Sequence, residues 1–405
     1  MKILLLNQTF YPDVVSTAQH LTDLARALTA RGHEVTVIAS RRAYDDPGRR
    51  FAKSERWHGI NIIRIPSTGF GKAAKWRRAA DFASFILNCC WRLLWLPRQD
   101  AIVALTSPPL ISFIGALAAG VRGSKFYYWV MDLNPDEAVA ANWLREGALL
   151  TRALQGLSRF SLRRAEKIIV LDRFMQTRVQ EKGIAPEKIV IIPPWSHDDA
   201  LRFDPVGREQ FRQAHGLADK FVVMYSGNHS PCHPLDTLLQ AAKAMAGEDR
   251  FRFLFVGGGS EMTKVKRFAA ENHLGNILCL PYRPLTELAG SLSAADAHAV
   301  VMGDPFVGII HPCKIYNVLV VAAPVLFIGP ATSHAGEILR DLNSNVCGQV
   351  PHGDVAGCVA VIRRIAAAGA RGGESFKNVT AAFSAEALLP RLVAILEAAD
   401  PAGGR

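Results

Sequence analysis

The sequence predicts an α/β protein made of two doubly wound halves, and three observations carry that prediction. Short apolar, β-branched runs alternate with helically spaced segments along most of the chain. The alternation pauses once, in a polar stretch around residues 195–216. The 405 residues suit two cores of about 200 residues each better than a single one.

Residues 2–7 form a short apolar run that reads as a buried first strand, and the run is too short for the apolar region of a secretion signal. Residues 18–31 set Leu21, Leu24, Ala25 and Leu28 at helical spacing, and Gly32 ends the helix. The β-branched run at 34–39 completes a βαβ unit. Further strands are expected at 60–65, 101–105, 125–131 and 167–171, joined by helices, which implies a mostly parallel sheet. After 190–194 comes the polar segment Trp195-Ser196-His197-Asp198-Asp199, followed by Asp204-Pro205 and ending near Gly216, which reads as the inter-domain linker. The second alternation places strands at 221–225, 251–256, 276–280, 297–302 and 324–328, with helices at 234–246, 261–272 and 312–321. An amphipathic helix is expected at 385–398 and a frayed tail at 401–405. The domain expectation is therefore 1–200, 201–384 and a closing helix and tail at 385–405. Ligands of doubly wound sheets bind beyond the carboxyl ends of the strands, so chemistry is expected in the loops after Asn7, Met131, Tyr225, Val256, Leu280 and Met302.

With 49% apolar and 20% charged residues the chain is globular, not disordered. Its net charge of +11 sits almost wholly in residues 1–200, which hold 28 Lys and Arg against 18 Asp and Glu. That bias suits a polyanion, either nucleic acid or an anionic leaflet, or else a merely solvated basic face. Seven cysteines without a paired framework or Cys-x-x-Cys argue against structural disulfides and point to the cytosol. Lys72, Lys75, Arg77 and Arg78 precede an apolar stretch at 82–96 that holds Trp91 and Trp95 but is interrupted by Arg92. It is too short and too charged to span a bilayer, for which about 20 apolar residues are needed. An interfacial helix on the inner face of the cell membrane is the expectation, with a helix of the first core as the alternative.

Three segments of the second half invite chemistry. Gly227, in Tyr225-Ser226-Gly227-Asn228-His229, lets a backbone approach a phosphate, or simply serves turn geometry. Gly257-Gly258-Gly259-Ser260-Glu261 is a glycine run opening a helix, suited to an anion or a ribosyl group, although Met262 breaks the full G-x-G-x-x-G fingerprint. The third is the segment from Asp304 to Asn317, in which Pro312 opens a helix and Lys314 stands in its first turn. A lysine is electrostatically misplaced there unless an anion such as a diphosphate offsets it, with His311 beside it.

The chain resembles the nucleotide-sugar glycosyltransferases of family 4, in the branch that builds bacterial surface polysaccharides and includes fucosamine-transferase-like members. On the first half the resemblance rests on Phe10-Tyr11-Pro12-Asp13, Thr17-Ala18-Gln19-His20, Leu24-Ala25-Arg26-Ala27-Leu28 and Arg31-Gly32-His33-Glu34-Val35-Thr36-Val37, with Thr106-Ser107-Pro108-Pro109 and Asp132-Leu133-Asn134-Pro135. On the second it rests on Ser226-Gly227-Asn228, Pro312-Cys313-Lys314-Ile315-Tyr316 and Ala323-Pro324-Val325.

The resemblance implies a GT-B fold, two Rossmann-like domains facing a central cleft, and a retaining transferase without a protein nucleophile. It implies a nucleoside diphosphate sugar, UDP-sugar foremost, as co-substrate without a metal or other cofactor, and a glycan or polyprenyl-linked acceptor at an anionic membrane surface. The chain has no Asp-x-Asp pattern, and the spacings of Cys232/His233 and His311/Cys313 fit no zinc site. Donor contacts are expected from Gly227, Asn228, His229, His233, Gly257, Gly258, Glu261, Tyr282, Phe306, Gly308, Lys314 and Asn317. Lys314, His311 and Asp132 are the candidate catalytic residues, with Asp132 either on the acceptor side or a cap for the segment after it. The family usually has Glu where Asn317 stands, a Gly pair at Val15 and Ser16, and a basic pair at Asn228 and His233. His229 and His233 are expected to replace the missing charge, so that donor binding weakens as they deprotonate near pH ~6.5. The rival readings are an epimerase of the same architecture, for which no set of cleft carboxylates is identified, and a nucleic-acid-binding protein, for which no recognition motif is found.

Overall fold

The structure is a computed structural model that describes residues 1–44, 48–71, 75–196, 201–369 and 371–398. Lys72, His197 to Asp199 and the tail from 401 lie outside the described residues. The chain divides into two compact units: Met1–Pro194 with Gly308–Ile310 and Leu388–Arg405, and Trp195–Val307 with His311–Ala387.

Unit 1 runs β1 (Lys2–Leu6), α1 (Ser16–Ala30), β2 (Glu34–Ser40), β3 (Ser54–Trp57), β4 (Ile60–Ile65), α2 (Lys75–Leu94), β5 (Ala101–Ala104), α3 (Ile111–Arg122), β6 (Lys125–Trp129), α4 (Asp136–Ala140), α5 (Leu149–Arg164), β7 (Lys167–Val170), α6 (Arg173–Gln180) and β8 (Ile189–Ile191). Its sheet order is β3-β4-β2-β1-β5-β6-β7-β8, parallel except for the β3–β4 pair. The order reverses direction at β1, as a doubly wound sheet requires. Ile3 to Leu6, Val35, Val37 and Ile102 to Ala104 are buried, which is why these strands read as unbroken apolar runs. The sequence reading omitted β3, whose Ser-Glu-Arg-Trp is mostly polar because it pairs on one side only, at the sheet edge.

Unit 2 runs α7 (Pro205–Ala214), β9 (Phe221–Asn228), α8 (Asp236–Ala244), β10 (Phe251–Gly258), α9 (Ser260–Glu271), β11 (Ile277–Leu280), α10 (Leu285–Ser293), β12 (Ala297–Val301), α11 (Lys314–Val320), β13 (Val325–Ile328), α12 (His334–Leu342), β14 (Gly348–Val350), α13 (Val355–Ala368) and α14 (Glu374–Ala382). Its strands order as β11-β10-β9-β12-β13-β14, with parallel pairings. Tyr225, Phe253, Phe255, Leu238 and Ile362 belong to the core that α8 and α13 close over the sheet. Part of the stretch expected to be linker is helix instead. The Asp204 carboxylate accepts from Gly207 N at 2.9 Å and Pro205 takes the first turn, so α7 is capped locally. The helix is fixed to unit 2 by Arg208 and Arg212, which pair with Asp296 at 2.5 and 2.9 Å.

The closing helix α15 (Ala385–Glu397) buries Leu388, Leu392, Val393 and Leu396. Its last residue, Glu397, pairs with Arg31 and His33 of unit 1 at 3.2 and 2.9 Å. Helix α2 packs one face into the first core, as one of the two alternatives weighed from the sequence has it. Phe85, Cys89 and Leu93 are core residues, while Trp91 on the outer face is 63% exposed. Among the described residues no helix is long and apolar enough to cross a membrane.

Candidate active site

The carboxyl ends of β9, β10 and β12 gather most of the expected donor-side residues. Strands β9 and β10 stay paired to their last residues, Gly227 opposite Gly257 and Asn228 opposite Gly258. This close approach decides where glycine is needed. Gly257 and Gly259 have φ of 131° and 129°, and a Cβ on them would lie 2.1 Å from Gly227 O and 2.2 Å from His229 O. The backbone is tied there as well: His229 N donates to Gly258 O at 2.8 Å and Glu261 N to His229 O at 3.0 Å. The triple glycine therefore seats one loop against the next, and the Glu261 amide expected to face an anion is already engaged. Gly227 likewise does not open a helix, because β9 continues to Asn228 and α8 starts only at Asp236. The Tyr282 hydroxyl donates to Gly258 O at 3.3 Å, with its ring against Gly257 and Gly258.

Lys314 is the electrostatic centre of the cluster. Its Nζ is buried, lies 3.6 Å from the centroid of the Tyr225 ring and has no hydrogen-bond acceptor among the described residues. A Cβ on Gly227 would stand 3.4 Å from it, so glycine keeps that approach open. Burial lowers the Lys314 pKa to about 7. An ammonium held only by an aromatic face has lost most of its hydration and gains from any anion brought within reach.

The histidines depart from expectation. His229 Nδ1 lies 3.0 Å from Gly227 O and His233 Nδ1 lies 2.7 Å from Val301 O. A carbonyl only accepts, so each ring carries its proton on Nδ1. Burial, then the neighbouring Lys314 charge, pushes His229 down to about 4 and His233 to about 3. Both are neutral at physiological pH, so they cannot replace a missing positive charge, and their titration near pH ~6.5 is not expected.

His311, the second candidate catalytic residue, is buried and partnered. Its Nε2 lies 2.7 Å from the Tyr316 hydroxyl, which lies 2.9 Å from His334 Nε2. The Tyr316 ring stacks on His311 and packs on Phe383, with centroids 4.8 Å apart in the latter pair. The sequence reading missed His334 and Phe383, which come from distant elements and belong to no motif. Asn317 is half-buried on α11, three residues beyond Lys314 and so on nearly the same helix face. Phe306 is buried against Gly303. Gly308 needs its φ of 71° and belongs, with Ile309 and Ile310, to unit 1. Among the described residues no group of three or more His, Cys, Asp and Glu converges as a metal site, the two Cys/His pairs included.

In unit 1 the third candidate, Asp132, follows β6. It does not cap α4, which starts at Asp136 behind Pro135 without a side-chain cap. Burial, and secondarily Glu137, raises the Asp132 pKa to about 8, so the carboxyl is mostly protonated at neutral pH. His20 Nδ1 lies 2.7 Å from Ser16 O within its own helix. A surface hollow lined by Asp136, Arg159, Arg178, Glu181, Lys182 and Gly183 contains none of the candidate residues.

Two parallel-sheet units, with a buried lysine beside glycine-lined strand ends, are the architecture of a GT-B glycosyltransferase, and comparison with known proteins agrees. Residues 17–195 match the glycosyl transferase 4-like domain. The colanic acid biosynthesis glycosyl transferase WcaI of Escherichia coli (strain K12) is 24% identical over 354 residues, covering 84% of this chain and 86% of WcaI. The glycosyltransferase WbjE of Pseudomonas aeruginosa is 26% identical over 233 residues, 57% of this chain and 58% of WbjE. Among solved structures, Anabaena HepE in complex with UDP superposes with a TM-score of 0.71 at 16% identity, covering 98% of this chain and 100% of HepE. The chain is a glycosyltransferase of GT-B fold. Both curated relatives are glycosyltransferases, which speaks against the epimerase and nucleic-acid-binding readings.

Proposed function

We propose that the protein transfers a sugar, with retention at the anomeric carbon, from a nucleoside diphosphate sugar to a hydroxyl of a lipid-linked or polysaccharide acceptor in the synthesis of a cell-surface glycan. A UDP-sugar is the first candidate donor, because HepE of the same fold is known with UDP, and the surface glycan follows from the relative named for colanic acid biosynthesis. The observation that carries the reading is Lys314, a buried cation with no acceptor among the described residues, facing Tyr225 and Gly227. In this reading its ammonium neutralises the leaving diphosphate, an interaction that strengthens as the glycosidic bond breaks. Asn317 contacts the ribose through one donor and one acceptor atom. Neutral His229 and His233 line the pocket without adding charge. Asp132, mostly protonated, offers a hydrogen bond on the acceptor side. His311 is held for orientation by Tyr316 rather than as a free base. No step calls for a metal.

Thermal stabilisation by UDP, GDP and ADP tests the proposal, because a ligand that binds only the folded state raises its apparent stability. One nucleoside diphosphate is expected to stabilise the wild type and not Lys314→Ala. Equal stabilisation of both proteins would remove Lys314 from the donor site.

A further inference from the structure

Unit 1 carries a surface that glycosyl transfer does not explain. Helices α2, α3 and α5 each lead into a neighbouring parallel strand, β5, β6 and β7, so their carboxyl ends meet at the amino-terminal edge of the sheet, opposite the ligand edge. The three ends are joined side by side. Arg122 of α3 donates to the carbonyls of Leu93 and Leu94 at the end of α2, at 2.6 and 2.7 Å. On its other side α3 presents Gly120, where a Cβ would lie 2.8 Å from the Arg164 guanidinium of α5.

Across this end the apolar side chains face outward. Leu87, Trp91, Leu94 and Trp95 are 63–70% exposed, and Leu117 and Val121 of α3 extend the strip at 46% and 79%. Trp91 and Trp95 pack edge to face, 5.8 Å apart, and Leu87 and Leu94 lie at helical spacing from them, so α2 carries an aromatic ridge and not scattered single residues. The charge carried by the helices themselves is mostly of one sign. The three helices hold nine Lys and Arg and a single acid, Asp81, whose carboxylate accepts from Thr68 Oγ1, Phe70 N and Gly71 N. Arg98, Arg159, Arg163 and Arg164 are exposed; the acids near them are Asp100, Glu166 and Glu187 at the strand starts, with Asp136 and Glu181 in the hollow that Arg159 lines.

We infer that this three-helix face is a docking surface for an anionic lipid bilayer, with the Trp91–Trp95 ridge inserted at the headgroup level and the α5 arginines on the lipid phosphates. An aromatic ridge ringed by arginine matches an interface that is apolar inside and anionic outside. A second copy of the chain is a poor occupant, because a two-fold contact would set the same arginines against one another.

The test is co-sedimentation of the full-length protein with vesicles of phosphatidylcholine alone and of phosphatidylcholine with phosphatidylglycerol, at low and high salt. Binding is expected to the anionic vesicles only and to fall at least ~10-fold at high salt, as screened charge requires. Trp91→Glu with Trp95→Glu, and separately Arg159→Glu with Arg163→Glu, are each expected to reduce binding ~10-fold or more with an unchanged melting temperature. All four positions are exposed, so folding should survive; should one pair fail to fold, the other decides. Absence of vesicle binding, binding indifferent to the α5 pair, or a dimer in light scattering that either pair dissolves would each overturn the inference. No arm reads sugar transfer, so the proposed function and this surface can fail separately.

Discussion

Lys314 in unit 2 and Asp132 in unit 1 are a base and an acid moved by the same force in opposite directions. Each follows a central strand of its own sheet, and for each burial is the main cause: it draws the lysine down to about 7 and drives the carboxyl up to about 8. Desolvation penalises whichever form is charged, so both groups approach neutrality near physiological pH. The difference lies in what a ligand can do. An anion restores the charge of Lys314, whereas Asp132 sits beside Glu137 and gains nothing from a second negative charge. On the proposed reading, Lys314 in unit 2 takes an anion, whereas Asp132 in unit 1 offers a neutral hydrogen-bonding acid.

The comparison can be broken at several points. The largest expected effect is that of Lys314→Ala, which should lower kcat/KM by ~10²–10³-fold, the usual cost of deleting one charge-stabilising group. Its melting temperature should hold or rise, because a buried cation without an acceptor is removed. A lower melting temperature with retained activity would make Lys314 structural.

Next comes Gly257→Ala, which places a Cβ 2.1 Å from Gly227 O at φ 131°. It should cost about 2–3 kcal/mol of stability, read by denaturant titration. A neutral outcome would show that the β9 and β10 ends separate freely.

UDP affinity should depend on pH through Lys314 rather than through histidine. The bound diphosphate favours the ammonium, so affinity should decline above about pH 7, by at most ~10-fold per pH unit, and stay level between pH 5 and 6.5. Calorimetry across that range checks it, and a step near pH 6 would return the histidines to the role first expected of them.

Asp132→Asn should change activity at neutral pH least, because an amide and a protonated carboxyl both donate a hydrogen bond. A carboxyl whose folded pKa is raised binds its proton more tightly in the folded state, so wild-type stability should fall as pH rises from about 4 to about 8. The substitution should flatten that slope, which for a shift of this size is at most about 1.4 kcal/mol per pH unit, read by melting temperature across the interval. An unchanged slope would mean that Asp132 is solvated.

Much of the fold was legible because buried parallel strands announce themselves as apolar runs, as at Lys2–Leu6 and Phe251–Gly258. Elements with weaker patterning were omitted, among them β3 at the sheet edge, the three-residue β14, and α10, α12, α13 and α14. Of the candidate site, Lys314 was legible through its misplaced charge, and Gly227 and Asn228 through their place at a strand end.

The sequence alone determined the order of most strands and which residue types follow them, because periodicity and chain order carry both, although it ended β9 at Tyr225 and β10 at Val256, short of Asn228 and Gly258. Tertiary structure decided the rest. It turned Gly257 and Gly259 from an anion loop into a backbone seam, since only the register of β9 against β10 brings Gly227 O and His229 O so near. It joined His311, Tyr316, His334 and Phe383 across 73 residues of sequence. It also set the charges: the protonation of His229, His233, Lys314 and Asp132 depends on lost hydration and on neighbours in space, which composition and spacing do not encode.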